Sequence, residues 1–414
     1  MAQMVSLEIE SIAAGGDGVA RTNGLVVFVP RTVPGEVVTA RISGKGTFAR
    51  GMLRTVARPS DERIDPPCPH YTRDKCGGCQ IQHMSYASQL RAKQRIIRDA
   101  VERIGKRKVS IAEVRESPSE WRYREKLTLA MQRLSSGEWL AGLHPYDNPG
   151  RIFALADCLI TDRAVVSTWG EILEKSALFP PVQALRGSVR MTSDGPIFVM
   201  IGAVRWSNAP ALFDAVPSLA AMWWENDEGS RRLVGDRRPS RSLQPPVASF
   251  SQVNPEVAMN LRNHVISVVS AHAPKVIVDA YSGAGDTAIA FARAGARVTA
   301  IELDNDAARW CALRLPEGSV SLRARVEEAL PRVLPADAVV LNPPRAGVDQ
   351  RVTEILQSTD PRPRVIAYVS CNPATLARDL ARLPSYRIAS IVPFDMFPQT
   401  AHVETVCELV PDGL

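Results

Sequence analysis

From residue 250 onward the chain carries four short apolar runs, Val276–Val278, Val298–Ile301, Ala338–Leu341 and Val365–Val369, separated by stretches with helical spacing. Short runs that are apolar throughout, rather than alternating, belong to strands buried on both faces, and their alternation with helices predicts an α/β fold built on a parallel sheet. In such folds the ligand site lies beyond the carboxyl ends of the strands. A chemically distinctive residue follows each run: Asp279, Glu302, Asn342 and, one position later, Cys371. A parallel sheet places all four along one edge. Chance explains one or two such placements; four in register point to a site.

The first loop reads Asp279-Ala-Tyr-Ser-Gly-Ala-Gly285, and a helix is expected to start near Asp286. Gly283 and Gly285 remove side chains where a ligand must approach the backbone. Glu302 is suited to accept hydrogen bonds from both ribose hydroxyls of a nucleoside. Gly283, Gly285 and Ala288 also satisfy the dinucleotide pattern G-x-G-x-x-A, which alone is weak. An acid at position 279 suits a cationic ligand such as S-adenosylmethionine better than a pyrophosphate. The plain alternative makes Asp279 a helix or turn cap.

Cys371, in Tyr368-Val-Ser-Cys-Asn-Pro373, ends a strand and enters a turn. A thiolate there could add to C6 of a uracil, turning C5 into a carbon nucleophile for a sulfonium methyl. A base must then remove the C5 proton. A free thiol has a pKa of about 8.5, so only a few per cent is thiolate at pH 7 without help, and proximity to a cation would lower that value. A cysteine inside a strand would be an inert small hydrophobe; the polar Asn372-Pro373 surroundings argue otherwise. Glu404 and His402 are both eligible bases by their chemistry.

Three of the seven cysteines cluster as Cys68, Cys76 and Cys79, with Cys158 the fourth candidate thiol ahead of the catalytic segment. Four thiolates suit a [4Fe–4S] cluster or a structural zinc, and the Gly77-Gly78 pair lets backbone amides approach sulfur. His70 and His83 keep a zinc site open. An odd, sparse cysteine count argues against a disulfide framework.

Charge is unevenly spread. Residues 1–150 hold 23 Lys+Arg against 16 Asp+Glu, although the whole chain is only +6. A polyanion could be gripped there, or the excess could be a solvated basic face. Residues 1–58 read as a small five-stranded β-barrel of the oligonucleotide-binding kind, with strands at Leu25–Val29, Glu36–Ile42 and Met52–Val56 and with Arg41, Lys45, Arg50 and Arg54 on the later strands. Residues 59–80 are too rich in Pro and Cys for regular structure, and Met84–Ile104 reads as a basic helix. Mixed α and β signals follow to about residue 245. The Gly229–Pro246 tract, with Arg231, Arg232, Arg237, Arg238 and Arg241, reads as an exposed loop or strand edge. No apolar stretch approaches the roughly 18 residues of a membrane span, and the first ten residues lack a signal-peptide pattern, so the cytoplasm is expected.

These motifs together resemble the bacterial RNA uracil-5 methyltransferases, in particular the 23S ribosomal RNA group with a TRAM domain and an iron–sulfur cluster. Ser370-Cys-Asn-Pro-Ala-Thr-Leu-Ala-Arg378 is the most specific stretch and marks Cys371 as nucleophile. Phe397-Pro-Gln-Thr-Ala-His-Val-Glu404 matches the segment carrying the base, which favours Glu404 over His402. Ser251-Gln-Val-Asn254 and Asp279-Ala-Tyr281 match donor-binding motifs, which implies that Gln252, Tyr281, Asp286, Glu302 and Asn342 contact S-adenosylmethionine. Cys68, Cys76, Cys79 and Cys158 match the cluster ligands. The resemblance implies a TRAM-like barrel at 1–58, a central α+β domain with the cluster loop at 59–248, and a Rossmann-like methyltransferase domain at 249–414. It also implies an RNA substrate and a monomer. Two departures stand out: Asn342 replaces the usual Asp, and the Asp304–Val320 segment lacks the usual Asn-containing helix. Transfer RNA is the rival substrate; a dinucleotide-dependent iron–sulfur oxidoreductase and a catalytically silent RNA-binding protein are the rival classes.

Overall fold

The computed structural model describes residues 3–202, 205–226, 228–239 and 252–413. Its strands form three sheets. Residues 3–58 build a six-stranded sheet in the order Gln3–Glu8, Val37–Lys45, Phe48–Arg58, Leu25–Val29, Gly18–Thr22, Ser11–Ile12. Leu7, Ile9, Val27, Val29, Val38 and Ala40 fill its core. There is one strand more than the sequence predicts. The Val37–Lys45 and Phe48–Arg58 hairpin runs beyond its apolar segments, and Gln3–Glu8 pairs along its outer edge. The Pro- and Cys-rich stretch is also not wholly irregular. Pro69 opens a single helical turn, Pro69–Thr72, because its fixed φ suits the first helical position.

The basic helix is Tyr86–Arg103, capped by Ser85, whose hydroxyl accepts from the Ser88 N–H. It buries Ala92, Lys93, Ile96, Ile97 and Val101, and packs against the Pro373–Ala381 helix. A second, seven-stranded sheet runs from Lys126–Arg133 to Arg231–Asp236, with the Arg163–Glu174 and Ala209–Ala215 helices packed against it around Trp169, Phe198 and Leu212. The arginine tract forms its edge strand, as one sequence reading had it, but Arg238 is buried and paired with Asp236 at 3.0 Å. Arg241 lies outside the described residues, as does Ser251.

The third sheet has the order Val320–Arg323, Arg297–Glu302, Val276–Ala280, Ala338–Leu341, Val365–Ser370, Glu404–Pro411, Tyr386–Phe394. The four apolar runs of the sequence are neighbouring parallel strands, buried on both faces as their composition requires. Glu404–Pro411 enters between Val365–Ser370 and Tyr386–Phe394, antiparallel to both. The segment after Glu302 does contain a helix, Asn305–Arg314, because the Asp304 side chain caps it by accepting from the Ala307 N–H at 2.8 Å. No described helix is long and apolar enough to cross a membrane.

Candidate active site at the sheet edge

The parallel register puts the distinctive residues at one edge. The Asn342 N–H donates to the Ala280 carbonyl at 3.2 Å, bringing the two loop starts side by side. Gly283 and Gly285 both adopt positive φ, at 56° and 82°. Gly285 is packed so closely against the Asn305–Arg314 helix that an added Cβ would lie 2.2 Å from Cys311 Sγ, whereas one at Gly283 would meet nothing within 4 Å. The loop is therefore closed beneath and open above. Glu302 Oε2 accepts from the Gly283 N–H and Oε1 from the Asp304 N–H, both at 2.8 Å. Those bonds fix the carboxylate and leave further lone pairs for a ribose.

Asp279 lies one residue inside the edge, fully buried, and accepts from the Ala288 N–H of the Asp286–Arg293 helix. Its Oδ2 has no hydrogen-bond partner among the described residues. Burial first, and the charge of Glu302 second, push its pKa up to about 7. The helix-supporting alternative thus describes one of its oxygens. Asp286 is exposed and held by Arg262 at 3.1 Å and Arg314 at 2.9 Å. Tyr281 has φ 61° and turns its hydroxyl toward the Asp349 backbone, and Gln252 precedes the Pro255–Ser270 helix, capped by Asn254. Asn254 is buried and its amide also reaches Ser117 Oγ at 3.1 Å.

Cys371 and Glu404 come together through register. Ser370 faces Thr405 across the antiparallel ladder, so the next facing positions are Cys371 and Glu404. Cys371 is half-buried at the entry to the Pro373–Ala381 helix, which Asn372 caps by accepting from the Ala374 N–H at 3.1 Å. Glu404 is almost wholly buried, and burial pushes its carboxyl up to about 7 while Arg345 pulls it back. The Cys371 thiol is raised by burial and by Glu404, and lowered by the charge of Arg345 and a hydrogen bond from it.

Arg345 is the residue that sequence reading missed. Its carbonyl accepts from Asn372 Nδ2 and Thr375 Oγ1, both at 3.2 Å, so the turn carrying the thiol also holds the cation. The signal was available: Arg345 follows Asn342-Pro-Pro344, where the cation required by a reactive thiol should have been sought. Asp379, buried beneath, fixes the same loop by accepting from Val348 N–H at 3.0 Å and Tyr368 OH at 2.7 Å. His402 is lowered by burial and by Arg345, Lys93 and Arg124, whereas burial pushes the Glu404 carboxyl up to about 7.

The cysteines gather elsewhere. Cys68, Cys79 and half-buried Cys158 share a cluster with Tyr71, Tyr123 and Ile160. Cys76 is raised to about 11 by burial, opposed by a 3.4 Å hydrogen bond from the Gly78 N–H and reinforced by the charges of Cys158 and Cys68. His70 bonds Asp74 and the Ala156 N–H, and His83 bonds Tyr71 and the Thr32 carbonyl, so both imidazoles are spent on protein contacts. The four cysteines are close enough for their charges to act on one another, and with both imidazoles engaged elsewhere the thiols are the side chains left to hold a metal group. Among the described residues no three His, Cys, Asp or Glu side chains close around a single metal-ion position. A separate cavity of about 300 Å³, lined by Arg115, Glu116, Asn263, His264 and Phe394 among others, includes none of the sequence-predicted site residues.

Comparison with known proteins bears on the family and the fold. A family model described as tRNA (Uracil-5-)-methyltransferase matches residues 326–410, and a TRAM domain model matches residues 3–51. The chain is 32% identical to an uncharacterized RNA methyltransferase of Thermosynechococcus vestitus, with 98% of this chain and 97% of that protein covered. It is 33% identical to one of Gloeobacter violaceus, with coverages of 98% and 96%. The solved tRNA (uracil-54, C5)-methyltransferase of Pyrococcus abyssi, in complex with S-adenosyl-L-homocysteine, is similar at 24% identity. That likeness spans 98% of this chain and 99% of the other with a TM-score of 0.72, and shows a shared fold.

Proposed function

The chain belongs to the RNA uracil-5 methyltransferases, and from that premise we propose that it methylates uridine C5 in ribosomal RNA through a covalent adduct on Cys371. The enzyme is S-adenosylmethionine-dependent. The observation that carries the covalent reading is the facing pair Cys371 and Glu404 with Arg345 beside both.

The Cys371 thiolate forms the S–C6 bond, and the C5=C6 electrons move onto O4 as an enolate. C5 then attacks the sulfonium methyl; the C5–CH3 bond forms as the S–CH3 bond breaks, leaving S-adenosylhomocysteine. Glu404 takes the C5 proton, the C5=C6 bond reforms, and the S–C6 bond breaks to return the thiolate. Arg345 favours the thiolate at the first step. Gln252, Tyr281, Asp286, Glu302 and Asn342 hold the donor, with Glu302 on the ribose. Asn342 supplies a side-chain carbonyl without the charge of an Asp.

Cys68, Cys76, Cys79 and Cys158 would hold a [4Fe–4S] cluster with a structural part, since methyl transfer moves no net electrons. Anaerobically isolated protein should contain about four irons per chain and no zinc. The units we assign are 1–58 as an RNA-binding barrel, 59–248 as the unit holding the four cysteines, and 249–414 as the methyltransferase unit; residue 248 lies outside the described residues.

Transfer RNA is a second reading, favoured by the P. abyssi neighbour, whose own name places its uracil in tRNA and whose fold matches along the whole chain. RNA carrying 5-fluorouridine should form a denaturation-resistant complex that Cys371→Ala abolishes; survival of the complex in that variant removes the nucleophile. Mapping 5-methyluridine in ribosomal and transfer RNA with and without the gene separates the two substrates.

A further inference from the structure

The segment from Asp395 to Ala401 leads directly into Glu404, and it is gripped by residues that none of the proposed chemistry uses. Lys93 and Asp395 are both wholly buried and pair at 2.5 Å, and Lys93 Nζ also donates to the Phe397 carbonyl at 3.0 Å. Gln89, one helical turn before Lys93, makes a two-way clamp: its Nε2 donates to Gln399 Oε1 and its Oε1 accepts from the Gln399 N–H, each at 2.9 Å. Gln399 stands at φ 71°, a left-handed conformation that a non-glycine residue keeps only under outside constraint. Tyr123 OH donates to the Pro398 carbonyl at 2.9 Å. The Ile81 N–H donates to the Gln399 carbonyl at 3.2 Å, and Gln80 Oε1 accepts from the Ala401 N–H at 3.4 Å.

These anchors have two sources. Lys93 and Gln89 lie on one face of the Tyr86–Arg103 helix. Gln80 and Ile81 directly follow Cys79, and Tyr123 packs in the cluster formed by Cys68 and Cys79. Two hydrogen bonds from the end of the cysteine loop, and a third from Tyr123 packed against it, therefore reach the base-carrying segment. We propose that Gln89, Lys93 and Tyr123 are positioning residues for Glu404, and that the cysteine pocket serves the proton-removal step by holding this segment through Tyr123 and residues 80–81. The proposal rests on the assignment of Glu404 as the base.

A loosened segment should slow removal of the C5 proton while leaving thiolate addition and methyl transfer intact. Tyr123→Phe deletes one hydroxyl, and Gln89→Met deletes the clamp at nearly constant volume, so both variants should fold. With natural uridine RNA and donor, each should lower kcat about tenfold or more, keep KM within about twofold, and raise the fraction of enzyme trapped as denaturation-resistant RNA adduct. The rate of complex formation with 5-fluorouridine RNA, which is blocked before proton removal, should match wild type. Unchanged kcat and adduct fraction in both variants would overturn the proposal, as would a parallel fall in the 5-fluorouridine rate, which signals general loosening. If wild type itself forms no complex with 5-fluorouridine RNA, the covalent reading fails and this inference goes with it.

Discussion

The side-chain amide of Asn372, next in sequence to the thiol, donates to the carbonyl of Arg345 at 3.2 Å. The turn that exposes the sulfur thus also presents the guanidinium to it, and any shift of one carries the other. Neither element alone would make a reactive thiol, because burial and Glu404 both push Cys371 upward.

Removing that cation should push the thiol still further above its ordinary range, because burial and Glu404 would then act unopposed. For Arg345→Ala we expect adduct formation with 5-fluorouridine RNA to slow on the order of a hundredfold, the usual scale for losing one aimed electrostatic contact. Arg345→Lys should recover part of the rate through its charge. Iodoacetamide alkylation of Cys371 without RNA, followed against pH, should show its midpoint moved upward in Arg345→Ala; an unmoved midpoint refutes the role.

Burial pushes the carboxyl of Glu404, the proposed base, up to about 7, so its ionised fraction falls as pH drops through that value. Breakdown of the methylated adduct should accelerate from pH 6 to 8 in wild type and be slow and flat in Glu404→Gln. Single-turnover kinetics of adduct decay provide the test; an equally steep profile in the variant would transfer the role to another group.

Asp279 gives a pH prediction for stability. Its folded pKa, about 7, is raised above the unfolded value of 3.8, so the native state binds its proton more tightly. Stability is therefore full below the unfolded pKa and is lost as pH rises from about 4 to about 7, with no further change above. In donor-free protein, Asp279→Asn should gain on wild type steadily through that window. Urea unfolding midpoints at intervals between pH 4 and 8 check this, and a constant difference would mean that Asp279 does not titrate there.

Gly285 combines a left-handed φ with a space that Cys311 already fills. Gly285→Ala should cost about 1–2 kcal/mol for the backbone conformation alone, and more for the clash. Binding of S-adenosylhomocysteine should weaken at least tenfold, by calorimetry. Gly283→Ala, with open space above it, should disturb stability less but obstruct the ligand.

Much of this site was legible in sequence for a specific reason. Strands buried on both faces cannot hide their composition, so Val276–Val278, Val298–Ile301, Ala338–Leu341 and Val365–Val369 announced a parallel sheet, and its geometry then aligned Glu302, Asn342 and Cys371. The first loop was harder, because an acid that supports a helix and an acid that meets a cation look identical at position 279. Arg345 escaped because no periodicity marks a loop residue. The Gln89–Gln399 and Lys93–Asp395 contacts lay beyond any local reading: each joins residues some three hundred positions apart, and a buried lysine in a basic helix reads as surface. The Asn305–Arg314 helix fits the helical spacing expected between the apolar runs, with Asp304 as its cap.

The strand that begins at Glu404 is the last of the third sheet to be synthesised, yet it fills an interior slot between Val365–Ser370 and Tyr386–Phe394. Tyr386–Phe394 has no strand partner other than Glu404–Pro411 among the described residues, so it joins the sheet only through that strand. Closing the sheet and delivering the Glu404 carboxyl to its edge are therefore a single assembly event.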